Sequence, residues 1–285
     1  MHAAIFLWGF TGLLGKLIQL NEGLLVWYRL LFSSVAIAVI LFYRKGFPRL
    51  SRKDFWQISG VGVLVMLHWV TFYGSIKLAS ISIAMICLST IALFASIIEP
   101  LVNRKRFDYV EIVFSALAVI GISHIYLSDV TASAGIIVGV ISAFISATFS
   151  VFNKRLTAKH EALTISIVEL TSGLVFLTLL FPVYFRIQPT HNYVPGFMDV
   201  VYLLILSLAC TVFTWILSLQ ALRKVSAFTM GLALNLEPIY GIILAVLFAG
   251  EGKLINLDFV LGALTILVTV ALHTLYKFSR RNRLQ

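Results

Sequence analysis

The fold class this sequence predicts is an all-α integral membrane protein of ten transmembrane helices arranged as two inverted five-helix repeats. Three observations carry it: the composition, the spacing of apolar runs and the placement of basic residues. Of 285 residues, 60% are apolar and 12% charged, against roughly 25% charged in a soluble domain. A helix needs about 20 predominantly apolar residues to cross hydrocarbon. That rule yields runs at 3–20, 24–43, 55–76, 80–102, 108–127, 132–152, 163–186, 199–220, 227–249 and 257–276. Spans and short connectors use nearly all the length, so no room is left for a soluble catalytic domain. The chain reads as one compact bundle, with a first repeat over 1–129 and a second over 130–285.

The net charge of +10 is distributed by side of the membrane and not along one groove-facing element. With the N-terminus in the cytoplasm, seventeen basic residues fall inside: Arg44, Lys45, Arg49, Arg52, Lys53, Arg104, Lys105, Arg106, Lys154, Arg155, Lys159, Arg223, Lys224, Lys277, Arg280, Arg281 and Arg283. Lys77, Arg186 and Lys253 fall outside, while Lys16 and Arg29 lie within spans, which completes the 22. This is the positive-inside pattern. It puts the loops 44–54, 103–107 and 153–162 inside, the loop 187–198 outside and both termini in the cytoplasm. No nucleic-acid partner is expected. The first apolar run lacks the basic leader and small-residue cleavage site of a secretory signal. It begins almost at Met1, which sets up the expectation that translation starts upstream.

In the first run, Gly9, Gly12 and Gly15 recur every three residues and allow close helix packing. Trp8 is cavity material, and Lys16, near the outer end, suits either snorkelling or an anionic substrate group. The second run carries Arg29, about 9 Å below the outer surface at 1.5 Å per residue. His68, Trp69 and Tyr73 in the third run form an amphipathic aromatic cluster fit to stack on a planar or cationic group. Cys87 and Cys210 both sit inside runs, which suits reduced packing residues better than a disulfide or metal site. The sixth run, ISAFISATFS, is small and hydroxylated. The seventh holds Glu169, about 9 Å above the inner surface, too far vertically from Arg29 for an ion pair. Thr211 and Trp215 are cavity material in the eighth. Trp27 and Trp56 lie near span ends as belt anchors.

The ninth run, SAFTMGLALNLEPIYGIILAVLFAGE, is the one the others are organised around. Glu237 sits near its middle, where insertion of an ionised side chain costs about 2.5–3.5 kcal/mol. Pro238 removes an amide proton and bends the helix, freeing the carbonyl of Leu234 for Asn235 to satisfy. Non-ideal backbone at membrane depth belongs where it is buried in protein or lines a water-filled cavity. Glu237, Asn235, His68, Trp8, Lys16, Tyr73 and Trp215 are therefore the substrate-binding candidates, and Glu237, Pro238, Arg29 and Glu169 the coupling or gating candidates.

A shift of 146 residues lays the third and fourth runs over the eighth and ninth, pairing Lys77 with Arg223, Ser80 with Ser226, Phe94 with Tyr240 and Leu101 with Leu247. Five spans per half is odd, so the copies insert oppositely, the inverted-repeat plan of many secondary transporters. The stretches FLWGFTGLLGKLI at 6–18, VWYRLLFSS at 26–34, FYGSIKLAS at 72–80, LEPIYGIILAVLFAGE at 236–251 and DFVLGALTIL at 258–267 carry a family resemblance. Over essentially its whole length the chain resembles the EamA-type permeases of the drug/metabolite transporter superfamily. The resemblance implies inverted halves, peripheral fifth and tenth helices, and a central cavity framed by the first, third, fourth, sixth, eighth and ninth. Glu251 is similar to the family's Gly-Glu turn. The first half departs from the second, with Ala92 opposite Pro238 and Lys105 opposite Glu251.

The expected function is a multi-pass inner-membrane carrier, not an enzyme, that moves a small metabolite by alternating access. The resemblance suggests export. Candidates that are aromatic, acidic and basic together suit an amino acid or similar amphoteric compound. The alternative is an intramembrane acyltransferase, invited by the His-x4-Asp spacing of His124 and Asp129, with GxSxG and HExxH absent. No cofactor or metal is expected. The expected partners are a small-molecule substrate and membrane lipid, and a homodimer remains open.

Overall fold

Backbone amides that meet lipid must be satisfied within their own segment, and every described element is helical, with no strand among the described residues. The computed structural model describes residues 2–44, 46, 49–104, 110, 113–114, 116–117, 120–121, 124, 132–224 and 236–282, the backbone alone at 92, 222–224, 254, 270, 274, 277 and 280–282. The helices are α1 (His2–Leu17), α2 (Glu22–Tyr43), α3 (Arg52–Leu78), α4 (Ile81–Ser89) and α5 (Ile91–Asn103). After them come α6 (Ser133–Thr157), α7 (Ala162–Ile187), α8 (Phe197–Ser207), α9 (Thr214–Lys224), α10 (Leu236–Phe248) and α11 (Leu257–Asn282).

Five described helical segments are long and apolar enough to cross a membrane: α2, α3, α6, α7 and Phe197–Ala221, which joins α8 to α9. The protein is therefore a multi-pass membrane protein. The expected fifth span, 108–127, falls largely outside the described residues, and so does the first part of the ninth, with Asn235. Pro238 lies buried in the first turn of α10.

The structure adds a bend or break to two of the expected spans and corrects the end of a third. The fourth run is not one straight helix: α4 and α5 meet at 42°. No proline causes this. Ser89 Oγ donates to the Ile86 carbonyl at 2.6 Å and Thr90 Oγ1 to the Cys87 carbonyl at 2.6 Å, and these side-chain bonds compete with the helical ladder. The eighth run is interrupted by a π turn over Leu208–Phe213. The sixth helix runs on to Thr157, so Asn153 belongs to a helix and not to the cytoplasmic loop.

Packing follows the small residues. On α1, Gly9 lies against Tyr240 of α10, Gly12 against Ile81 and Met85 of α4, and Gly15 against Tyr73 of α3. One face of α1 thus seats three helices. A Cβ built on Gly62 would stand 2.2 Å from the Glu169 carbonyl oxygen, so α3 and α7 approach backbone to backbone there, with Gly173 facing the Gly62 carbonyl. The contacts close a ring in which α1 touches α10, α10 touches α4, α4 touches α6, α6 touches α3, and α3 touches α1. Glu251, in a 3-10 turn after α10, accepts the Ile81 and Ser82 amides at 2.9 Å and the Ser82 hydroxyl at 2.8 Å. This carboxylate caps the N-terminus of α4, where the helix dipole favours negative charge.

Candidate functional site

A charged group in hydrocarbon is retained only where protein or water answers it. Arg29, in the third turn of α2, is 3% exposed. Its Nε donates to Thr211 Oγ1 at 2.8 Å, its Nη1 donates to the Tyr73 phenol at 2.9 Å, and the guanidinium carbon stands 3.7 Å from the Trp69 ring centroid. All three partners are neutral. The π turn is what offers Thr211: its hydroxyl donates five residues back to the Leu206 carbonyl at 2.7 Å while accepting from Arg29. Ser207 Oγ donates to the Arg29 carbonyl at 3.3 Å and Ser33 Oγ to the Ser207 carbonyl at 3.3 Å, which pins α2 to this irregular backbone. π turns recur at functional sites because they re-aim side chains and free carbonyls.

Glu237 acts electrostatically on Arg29 from the first turn of α10 but makes no ion pair with it. The remaining guanidinium donors have no protein partner among the described residues. A fork of charged donors, a phenol and two aromatic faces is an arrangement that accepts a carboxylate.

A fully buried acid lies across an aromatic bridge. Trp69, under Arg29, meets Trp215 edge to face at 5.9 Å, and Trp215 Nε1 donates to Glu169 Oε2 at 3.1 Å. Glu169 is fully buried on α7. Arg29 and Glu169 are not ion-paired, each being held by its own local partners.

His68 is turned to α6, where its Nδ1 bonds the Ser142 hydroxyl at 2.8 Å and the ring packs on Phe72 and Phe149. It joins α3 to α6 and is not turned to Arg29. Tyr73 and Trp215 are the two substrate candidates brought to the Arg29 cluster. Trp8 is half-buried on α1, and Lys16 is exposed in its last turn. Asn235 lies outside the described residues. Sequence reasoning missed Asn153, which it placed in a loop. The helical stripe Ser142, Ser146, Asn153, spaced by four and seven, was the available signal.

Both cysteines are free and buried. The profile of the EamA-like transporter family matches residues 1–127 and 133–275. No curated protein matches the sequence. One solved crystal structure is similar over 98% of this chain and 96% of its own, with a TM-score of 0.63 at 15% identity, a likeness of fold alone.

Proposed function

The chain belongs to the EamA-like transporter family, and from that premise we propose a carrier for a small amphoteric metabolite, an amino acid or a similar compound. The observation that carries this reading is Arg29, a buried cation with neutral partners, held near Glu237 without an ion pair. Two opposite charges within electrostatic reach, neither cancelling the other, complement a zwitterion. The substrate carboxylate takes the open guanidinium donors and the Tyr73 hydroxyl, because the planar fork matches a carboxylate bidentately. The ammonium goes to Glu237, with Asn235, Trp8, Lys16 and Trp215 as further wall residues, while His68 supports the site from the α3–α6 contact. Glu237, Pro238, Arg29 and Glu169 serve coupling or gating.

The carrier has ten spans in two inverted repeats, 1–129 and 130–285, that rock about the site, with both termini in the cytoplasm of an inner-membrane protein. Export is the proposed direction. Substrate and lipid are the partners in this reading, with no nucleic acid. The acyltransferase alternative rests on His124 and Asp129, and Asp129 lies outside the described residues. Protein reconstituted in vesicles and offered the amino acids, several sugar phosphates and nucleotide sugars decides the substrate class. Exchange of at least one amino acid, lost in Arg29→Ala, is expected. Faster exchange of a phosphorylated sugar than of any amino acid overturns the reading.

A further inference from the structure

Two aspartates in opposite halves of the chain are placed alike. Asp54 is the third residue of α3 and Asp199 the third of α8. In each, one carboxylate oxygen serves its own helix start: Asp54 Oδ2 accepts the Ser51 hydroxyl at 2.6 Å, and Asp199 Oδ2 accepts the Gly196 amide at 3.3 Å. A carboxylate in a first helical turn is favoured by the helix dipole, and that role needs no distant partner. The other oxygen nevertheless turns to a connection in the opposite half. Asp199 Oδ1 accepts the Gln19 amide, between α1 and α2, at 2.9 Å, and Asp54 Oδ1 stands 3.6 Å from Nε2 of His160, between α6 and α7.

The two connections lie at opposite ends of the bundle. Lys77, in the last turn of α3, donates to the Leu20 carbonyl, and it lies about 35 Å along that helix from Asp54 at 1.5 Å per residue. The stretch Gln19–Leu20 is thus gripped from both sides, its N–H by a carboxylate on α8 and its C=O by an ammonium on α3. Ile18 and Leu20 are buried beneath it while the Gln19 side chain is exposed, so the α1–α2 connection packs as a stopper over its end of the bundle. Glu22, one residue further on from Asn21, accepts the Tyr184 hydroxyl of α7 at 2.7 Å, and Gly23 leaves the room that this ring needs.

We propose that Asp199 and Asp54 are counterpart latches, one at each end of the bundle, each tying the start of a helix in one half to a helix–helix connection of the other. The proposal rests on the carrier reading. A carrier with alternating access parts its halves at one end while they stay joined at the other. Opening at the α1–α2 end breaks the Asp199–Gln19 bond, and opening at the far end separates Asp54 from His160. Both contacts are made in this structure. The second oxygen of each carboxylate keeps its own helix start capped, so a latch opens without unwinding the helix that bears it.

The test is a pair of distances measured between spin labels in the reconstituted protein without substrate, after Cys87→Ala and Cys210→Ala. Labels at the exposed positions Leu17 and Phe197 report one end, and labels at Arg52 and Glu161 the other. Asp199→Asn should shift the first distance to longer values and spare the second. His160→Ala, which leaves the Ser51–Asp54 cap intact, should do the reverse. Lys77→Met should act at the same end as Asp199→Asn while keeping the α8 cap, and it decides if Asp199→Asn does not fold. Unchanged distances overturn the proposal, as does a variant that lengthens both, which marks general loosening. Amino-acid exchange by the unlabelled protein is read separately: exchange without a distance shift sinks the latches alone, and end-specific shifts without exchange support them while sinking the substrate reading.

Discussion

Arg29 is answered by a hydroxyl, a phenol and an indole face, and this choice of neutral partners leaves its charge available to a ligand. Arg29→Lys keeps the charge but loses the fork and the flat contact with Trp69. Losing one charge-assisted hydrogen bond, worth about 2 kcal/mol, corresponds to a rise of roughly 30-fold in KM for an amino acid, read in vesicle uptake. An unchanged KM removes Arg29 from the binding site. Glu237 is the complementary case. Glu237→Gln keeps size and hydrogen bonding without titration, so it should insert, extract as a folded protein and lose the pH dependence of transport. Wild-type rates at acid, neutral and alkaline pH would make the carboxylate structural. Both residues were legible in the sequence as charges in apolar runs. Trp69 was legible as part of an aromatic cluster but not as the ring under Arg29, and Asn153 was not legible at all, because a carboxamide carries no comparable anomaly until its neighbour is known.

At the scale of elements, α3 and α7 approach backbone to backbone at Gly62. A methyl group at Gly62 would meet the Glu169 carbonyl at 2.2 Å, whereas at Gly60 it would meet nothing within 4 Å. Gly62→Ala should therefore destabilise the protein by about 1–3 kcal/mol, the usual cost of overpacking. Gly60→Ala should be neutral or stabilising by up to about 1 kcal/mol, through helix propensity. Unfolding midpoints in detergent distinguish them, and equal midpoints would mean the helices do not meet at Gly62. Pro238→Ala should weaken transport at every pH, in contrast to the pH-selective effect of Glu237→Gln. The bend between α4 and α5 and the π turn after α8 were invisible in the apolar pattern. Both arise from hydroxyl side chains bonding to backbone carbonyls, and hydropathy does not register which carbonyl a serine or threonine selects.

At the scale of the whole molecule, the basic residues predict that a cysteine placed at Ser51 faces the cytoplasm and one at Thr190 the outside. An impermeant thiol reagent applied to intact cells should label Thr190→Cys and spare Ser51→Cys, and equal labelling would overturn the orientation. The sequence by itself determined that this is an all-helical membrane protein of a transporter family, and which of its residues are costly in hydrocarbon. Transfer into a bilayer is close to a sum over local residues, so a window of the chain suffices to read it. Only the tertiary structure decided how those residues are answered: Arg29 by Tyr73 and Thr211, 44 and 182 positions away, and Glu169 by Trp215, 46 positions away. Such pairings depend on the rotation of each helix about its axis, and one extra residue in a π turn re-aims everything after it by about 100°. That rotation is set by glycines packing between helices and by hydroxyls bridging them, which no single segment contains.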